Sequence, residues 1–279
     1  MIRIRGLSFK YKGGREEALK EIDLTVKRGD FLGIIGSSGA GKTTLLHAVN
    51  GIVPHNFRGE FYGSVEVDGS DTIENRPEAL ARKVGSVRQD FESQMVSSVV
   101  EDEMLFGLEN FSVPRDEIEK RVTDALDKTG IRNLRERNIA TLSGGQKQKV
   151  AIAAIIALMP EILILDEPTG ELDPRSSRQI FLLLKELNEK HGITVVVVEQ
   201  KIMLLCEFAG SLAVMDRGRI ILEGPVAEVL TNSREMERAG VNCPRVVTLA
   251  DRLREERLYD GPIPVSIPEA EAMVRSITG

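Results

Sequence analysis

A mixed α/β fold with a parallel sheet at its centre is predicted by three features of the 279-residue chain. Phe31-Leu32-Gly33-Ile34-Ile35 is a continuous apolar run between Gly29-Asp30 and Gly36, as expected of a strand buried on both faces. Ile162-Leu163-Ile164-Leu165 and Thr194-Val195-Val196-Val197-Val198 are two more such runs. Between them, residues 175–190 set Ile180, Leu183, Leu184 and Leu187 on one side of a helix. Strand, helix and strand in that order imply a right-handed crossover and hence a parallel sheet.

The remaining elements follow in chain order. Ile2 and Ile4, then Leu7 and Phe9, alternate with polar residues, as do Leu24 and Val26, so the chain opens on half-buried strands. The Gly-rich stretch from Gly36 to Gly41 then leads into a helix over residues 42–49. Val84-Gly85-Ser86-Val87 reads as a short strand. From Val99 to Met159 the pattern is almost wholly helical, which suggests a helical subdomain inserted into the core. After Gly224-Pro225 the composition turns charged and helical, with segments at 226–230 and 246–253. A last helix starts at Ser266-Ile267-Pro268-Glu269, where a proline in the first turn followed by an acid fits a helix N-terminus.

Composition narrows the function classes. Acidic residues outnumber basic ones, 43 to 37, for a net charge of -6, which excludes the basic footprint of a dedicated nucleic-acid binder. Two cysteines, Cys206 and Cys243, form neither a metal-ligand pair in sequence nor a disulfide framework, favouring a reducing compartment. The N-terminus has no long apolar segment of the kind found in secretory signals. The longest apolar run, 150–159, is about half of the roughly 20 residues a membrane helix needs.

Gly36-Ser37-Ser38-Gly39-Ala40-Gly41-Lys42-Thr43 fits the phosphate-binding pattern G-x-x-x-x-G-K-[ST], between an apolar strand and a helix. Glycines let main-chain N–H groups wrap an anion, and the helix N-terminus adds a favourable dipole. Lys42 can reach β- and γ-phosphates, and Thr43 offers a hydroxyl to Mg²⁺. A chance Gly-rich turn is the plain alternative. Asp166 follows four apolar residues at a strand end, where a carboxylate is held rigidly enough to orient Mg²⁺. Glu167 beside it is placed to take a proton from an attacking water. Such acids could also be solvated turn residues, an alternative that the phosphate loop weakens.

Leu142-Ser143-Gly144-Gly145-Gln146, ahead of Asp166, resembles the signature of ATP-binding-cassette ATPases. The resemblance covers roughly residues 1–225 and implies a P-loop fold of that type. Its parts would be a parallel-sheet core, an antiparallel β subdomain, an inserted helical subdomain over about 90–160, and a small C-terminal helical module at 226–279. It further implies that Ser143, Gly144, Gly145 and Gln146 act in trans, meeting the γ-phosphate held by another cassette's phosphate loop, so that the working unit is a dimer. Tyr11 would stack on adenine and Thr44 would touch the α-phosphate. Gln89 would approach Mg²⁺ and the attacking water, and Leu172-Asp173 would form the loop crossing to the partner. A tyrosine after an alternating strand is as often a plain core or surface residue.

One position departs from the family. The residue after the strand 194–198 that usually is a switch histidine is Gln200, within Glu199-Gln200-Lys201. Glutamine donates an N–H but cannot become cationic, so slower or partner-dependent hydrolysis is expected, with ATP binding kept. His47, His55 and His191 lie elsewhere in the sequence and read as structural or solvated.

A narrower likeness concerns Asp90-Phe91-Glu92-Ser93-Gln94, Val99-Val100-Glu101-Asp102-Glu103 and Phe106-Gly107-Leu108-Glu109-Asn110. With the tail at 240–244, Leu249-Ala250 and Leu253, these resemble the energy-coupling-factor ATPases of vitamin and transition-metal importers. That likeness implies a homo- or heterodimer, peripheral on the cytoplasmic side of the cell membrane. It would bind one integral membrane coupling subunit and work with a separate membrane subunit that captures substrate. A soluble cassette ATPase serving an assembly process is the competing reading. No sustained heptads separate the phosphate loop from the signature, which argues against a chromosome or DNA-repair cassette.

Overall fold

In the computed structural model, which describes residues 1–278, the alternating N-terminal runs become two antiparallel strands, β1 (Ile2–Tyr11) and β2 (Leu19–Val26). Ile2 faces Val26, Ile4 faces Leu24, Leu7 faces Ile22 and Phe9 faces Leu19, all buried. Ile4 and Leu7 are an odd number of residues apart, and a shift of register between them keeps both on the inner face.

The all-buried run next forms β3 (Phe31–Gly36), and the Gly-rich loop passes from it into α1 (Lys42–Val49). The short α2 (Ile52–His55) precedes β4 (Gly59–Val67) and β5 (Ser70–Asp71), which complete a four-stranded sheet in the order β2-β1-β4-β5. A turn of helix, α3 (Pro77–Leu80), leads to β6 (Val84–Val87). The inserted helices are α4 (Val100–Asn110), α5 (Arg115–Thr129) and α6 (Gly144–Ile156). They pack on their own apolar cluster, with Val100, Met104, Leu108, Val122, Leu126 and Val150 at its centre.

The chain then returns to the second sheet through β7 (Ile162–Asp166), α7 (Pro174–His191), β8 (Thr194–Val198), α8 (Ile202–Phe208), β9 (Ser211–Asp216) and β10 (Arg219–Pro225). This sheet runs β10-β9-β3-β8-β7-β6, parallel throughout except for β10. Both β7 and β8 are buried along their whole length, which is why they read as unbroken apolar runs. Helix α7 buries Ile180, Phe181, Leu183, Leu184 and Leu187. Its start is fixed by Asp173, whose carboxylate accepts N–H groups of Arg175 and Ser176, and by Pro174. Its end is fixed by Gly192 in the left-handed region.

The tail forms α9 (Val226–Leu230), α10 (Ser233–Arg238), α11 (Arg245–Glu255) and α12 (Ile267–Thr278). Val229, Leu230, Met236 and Val247 join the same apolar cluster as Val195, Val197, Leu212 and Val214, so the tail shares the core of the parallel sheet. Cys206 and Cys243 are both free thiols, and burial pushes Cys206 up to about 12 and Cys243 up to about 11, keeping them neutral. Among the described residues no helix is long and apolar enough to cross a membrane.

Candidate functional site

The site lies at the ends of β3, β7 and β8, three neighbouring strands that deliver their next residues to one edge of the sheet. From β3 comes the loop at 36–41. Gly36 is required by close approach, since a Cβ there would lie 2.3 Å from the Met215 carbonyl oxygen on β9. Gly41 has φ +101°, and a Cβ there would lie 2.5 Å from the Ala18 carbonyl oxygen. The loop is closed by Ala40 N–H donating to Ser37 O at 3.2 Å, and Ser38, Gly39 and Thr43 are exposed. Lys42 folds back, its ammonium donating to Gly36 O at 2.8 Å and Ser37 O at 2.9 Å. Burial pushes that ammonium down from its ordinary value, against the pull of Glu167 and Asp166.

Asp166 ends β7 and is buried. Burial pushes its carboxyl up from the usual carboxylate range, countered first by the Thr43 hydroxyl and also by Lys42. The chain turns sharply at Glu167, where φ is +47° in the left-handed region that non-glycine residues rarely enter. Its N–H donates to Val198 O at 2.8 Å, which holds the turn against β8. Both carboxylate oxygens of Glu167 are engaged: Gln89 Nε2 donates to Oε2 at 3.1 Å and Gln200 Nε2 to Oε1 at 2.8 Å. The sequence-predicted Gln89, Glu167 and Gln200 therefore converge, although they come from three separate strand ends. They border a cavity of about 300 Å³ that Phe91, Leu172 and Lys201 also line. The loop carrying Gln89 is held by Gln94, whose side chain accepts Arg88 N–H at 2.7 Å and donates to Ser86 O at 3.3 Å.

Tyr11 packs edge-on against Phe9 at 4.9 Å between centroids, and its hydroxyl lies 3.0 Å from the Thr44 hydroxyl, linking the two residues expected to touch nucleotide. Ser143 and Gln146 form a capping box at the start of α6. Gln146 Oε1 accepts Ser143 N–H at 2.9 Å, and Ser143 Oγ accepts Gln146 N–H at 3.4 Å. This turn lies against the start of α7. A Cβ on Gly144 would be 3.3 Å from Leu172 Cδ2, and one on Gly145 would be 3.1 Å from Ser176 Cβ. Among the described residues, the Ser143 and Gln146 side chains each accept the other's main-chain N–H and make no bond to the phosphate loop. Asp173 is exposed and spends one carboxylate oxygen on capping α7.

Two residues to which the sequence assigned no role complete the surroundings. Glu199, 1% exposed, accepts the Thr169 hydroxyl at 2.7 Å and the N–H groups of Gln200 and Lys201. Lys201 reaches across to the loop after Glu167 and to Ser177 in the first turns of α7. The available signal was position: two charged residues flanking Gln200 directly after a fully apolar strand.

The donor set suits a hard cation. Thr43 offers a hydroxyl and Asp166 a carboxylate, and Gln89, whose Nε2 is spent on Glu167, keeps its carbonyl Oε1. All are oxygens, and no cluster of three or more His, Cys, Asp or Glu able to cage a metal occurs among the described residues. That pattern fits Mg²⁺ held jointly with water and substrate phosphates, which the chain would not grip alone.

Residues 19–170 match the family described as ABC transporter. A Pyrococcus horikoshii protein, named as an ABC transporter ATP-binding protein, is 40% identical over 93% of this chain and 92% of its own length. One from Methanosarcina mazei, similarly named, is 42% identical over 91% of this chain, which spans only 44% of that longer relative. Among solved structures, cbiO1 from Clostridium perfringens, described as part of the ABC transporter complex cbiONQ, superposes with a TM-score of 0.77 at 34% identity. The match covers 90% of this chain and 98% of that one. The dimeric cassette MJ0796, in a post-hydrolysis state with ADP and Pi, gives 0.69 at 30% identity, covering 81% and 99%.

Proposed function

From the premise that the chain belongs to the ABC transporter family of ATP-binding cassettes, we propose that it is an ATPase subunit energising micronutrient import. The cargo would be a vitamin or a transition-metal ion, carried through a transporter of the energy-coupling-factor type. The observation that carries the ATPase reading is the Glu167 carboxylate, oriented by Gln89 and Gln200 at the sheet edge that also bears Lys42, Thr43 and Asp166. Similarity to cbiO1 supports the choice of transporter type.

In this reading residues 1–225 are the cassette and 226–279 a module that adds contacts between cassettes. Main-chain N–H groups from Gly36 through Thr43 receive the β- and γ-phosphates, Lys42 leaves its carbonyl partners to neutralise them, and Thr44 and Tyr11 meet the rest of the nucleotide. Thr43, Asp166 and Gln89 would hold Mg²⁺, which supplies charge neutralisation on the phosphate oxygens. Glu167 accepts a proton as a water oxygen bonds to the γ-phosphorus, and the bond to the β,γ-bridging oxygen breaks to leave ADP and phosphate. The turn from Ser143 to Gln146 of a second cassette closes over the γ-phosphate, and Asp173 lies on the loop that crosses between cassettes. Higher affinity of ATP for the closed dimer then supplies the work. The dimer sits on the cytoplasmic side of the membrane, against an integral coupling subunit, while another membrane subunit captures the cargo.

Two measurements test this. Phosphate release from Mg²⁺-ATP by the purified chain is expected, and its absence both alone and with co-purifying partners would overturn the ATPase reading. Tagged chain drawn from native membranes is expected to bring two integral proteins with it. Recovery with soluble partners only would replace transport by assembly.

A further inference from the structure

The side chains flanking Gln200 have no role in the reading above, yet both are fully engaged in hydrogen bonds at the site. Lys201 Nζ donates to the carbonyl oxygens of Thr169 and Leu172, the latter at 3.1 Å, and to Ser177 Oγ at 3.0 Å. An ammonium has three N–H donors, and all three are used. They go to two main-chain carbonyls and a hydroxyl, not to a carboxylate. Thr169 and Leu172 belong to the stretch joining Glu167 to Asp173, and Ser177 lies in the first turns of α7 just beyond it. Glu199 grips the same stretch through the Thr169 hydroxyl and is itself fixed by its own main chain, with Ile34 O accepting its N–H.

Stability of α7 does not account for a cation here. The ammonium sits at the N-terminal end of that 18-residue helix, the unfavourable pole of its dipole. What the placement does is register one loop against another. β7 and β8 are hydrogen-bonded neighbours, with Asp166 beside Val198. Three successive residues leaving β8 therefore hold three points of the loop leaving β7: Gln200 holds Glu167, Glu199 holds Thr169, and Lys201 holds Leu172. Leu172 in turn abuts Gly144, and Ser176 abuts Gly145.

We propose that Lys201 is a positioning residue, which clamps the loop at 169–172 so that Glu167 in one site and the Leu172-Asp173 and Ser143–Gln146 surfaces offered to the other site move as one body. The proposal rests on the ATPase-dimer reading given above. Glu199 anchors the clamp, and Gln200 connects it to the carboxylate that handles the reacting water. Displacement of Gln200 during turnover is thereby passed to the surface facing the partner cassette.

Lys201→Met keeps the side-chain length and removes all three donors. Two readouts are taken on the full chain with Mg²⁺-ATP, beside Lys201→Arg. In amide hydrogen exchange, Gly170 and Leu172, whose N–H groups close the loop onto Glu167 O and Thr169 O, are expected to exchange about tenfold faster in the Met variant, with residues 36–43 unchanged. In steady-state kinetics kcat is expected to fall roughly tenfold with KM within about twofold, and Arg is expected to restore most of it. Parent-like exchange at Gly170 and Leu172 would overturn the clamp. So would a fall in kcat matched by a rise in KM and not rescued by Arg, the pattern of general structural damage. A parent chain that releases no phosphate would instead strike the ATPase reading, while the exchange comparison would still judge the clamp.

Discussion

The phosphate loop and the junction between β7 and β8 face the same edge of the sheet but are held by different means. The loop at 36–43 is bound to itself: Ala40 to Ser37, Lys42 to Gly36 and Ser37, with glycines pressed against Met215 and Ala18. The junction is held by side chains from distant segments, Gln89 and Gln200 on Glu167, and Glu199 and Lys201 on residues 169–177. A self-contained loop can bind an anion whatever its neighbours do. A cross-braced junction instead reports the state of several elements at once, which would suit the closed-dimer hydrolysis proposed above.

Substitutions can separate the two. The largest effect is expected from Glu167→Gln, which removes the proposed base and keeps the shape. Turnover should fall by about 10²- to 10⁴-fold while nucleotide affinity is retained. Phosphate release and binding of a fluorescent ATP analogue read these separately, and normal turnover would dismiss Glu167 as the base. Gly41→Ala should do the reverse. A methyl group 2.5 Å from Ala18 O, on a residue at φ +101°, costs about 2 kcal/mol or more and should show as a lowered unfolding midpoint and weakened ATP affinity. Unchanged affinity would mean that the loop tolerates what its packing forbids.

Gln200→His comes next. A histidine can take a positive charge that the amide cannot, so turnover should rise, by up to about tenfold or about 1.4 kcal/mol of barrier. An unchanged rate would show that the amide bond to Glu167 already meets the need at this position.

The same contrast explains what could be read in advance. The parallel sheet was legible because β3, β7 and β8 are buried on both faces, leaving unbroken apolar runs. The phosphate loop was legible because its chemistry is local. β4, with Tyr62 exposed and glutamates at 60 and 66, has too broken a pattern to stand out. β9 and β10 follow a helix and a tight turn without a motif. At the site, Gln89, Glu167 and Gln200 could be named one by one, but their convergence depends on strand order. Glu199 and Lys201 gain meaning only when β8 is known to lie beside β7. The charged, helical composition after Pro225 suggests a separate module, and helices do form at Val226–Leu230, Arg245–Glu255 and Ile267–Thr278. That its apolar residues complete the core of the parallel sheet is a long-range fact, which periodicity alone does not encode.

The smallest effect on stability, and a diagnostic one, is expected at Ser143. Within one chain this hydroxyl only caps α6, through a bond to Gln146 N–H that is long at 3.4 Å, while Gln146 returns the stronger bond to Ser143 N–H. Ser143→Ala should therefore cost about 0.5 kcal/mol of folding stability, the low end for a lost cap, as read by urea unfolding of the isolated chain. If the hydroxyl also serves a γ-phosphate held by a partner cassette, turnover should fall much further than that figure accounts for. It should fall in the dimer alone, and mixing with a Ser143-intact, Glu167→Gln chain should restore one competent site per pair. Loss of turnover no greater than the loss of stability would confine Ser143 to capping, and with it the claim that this turn works across a dimer.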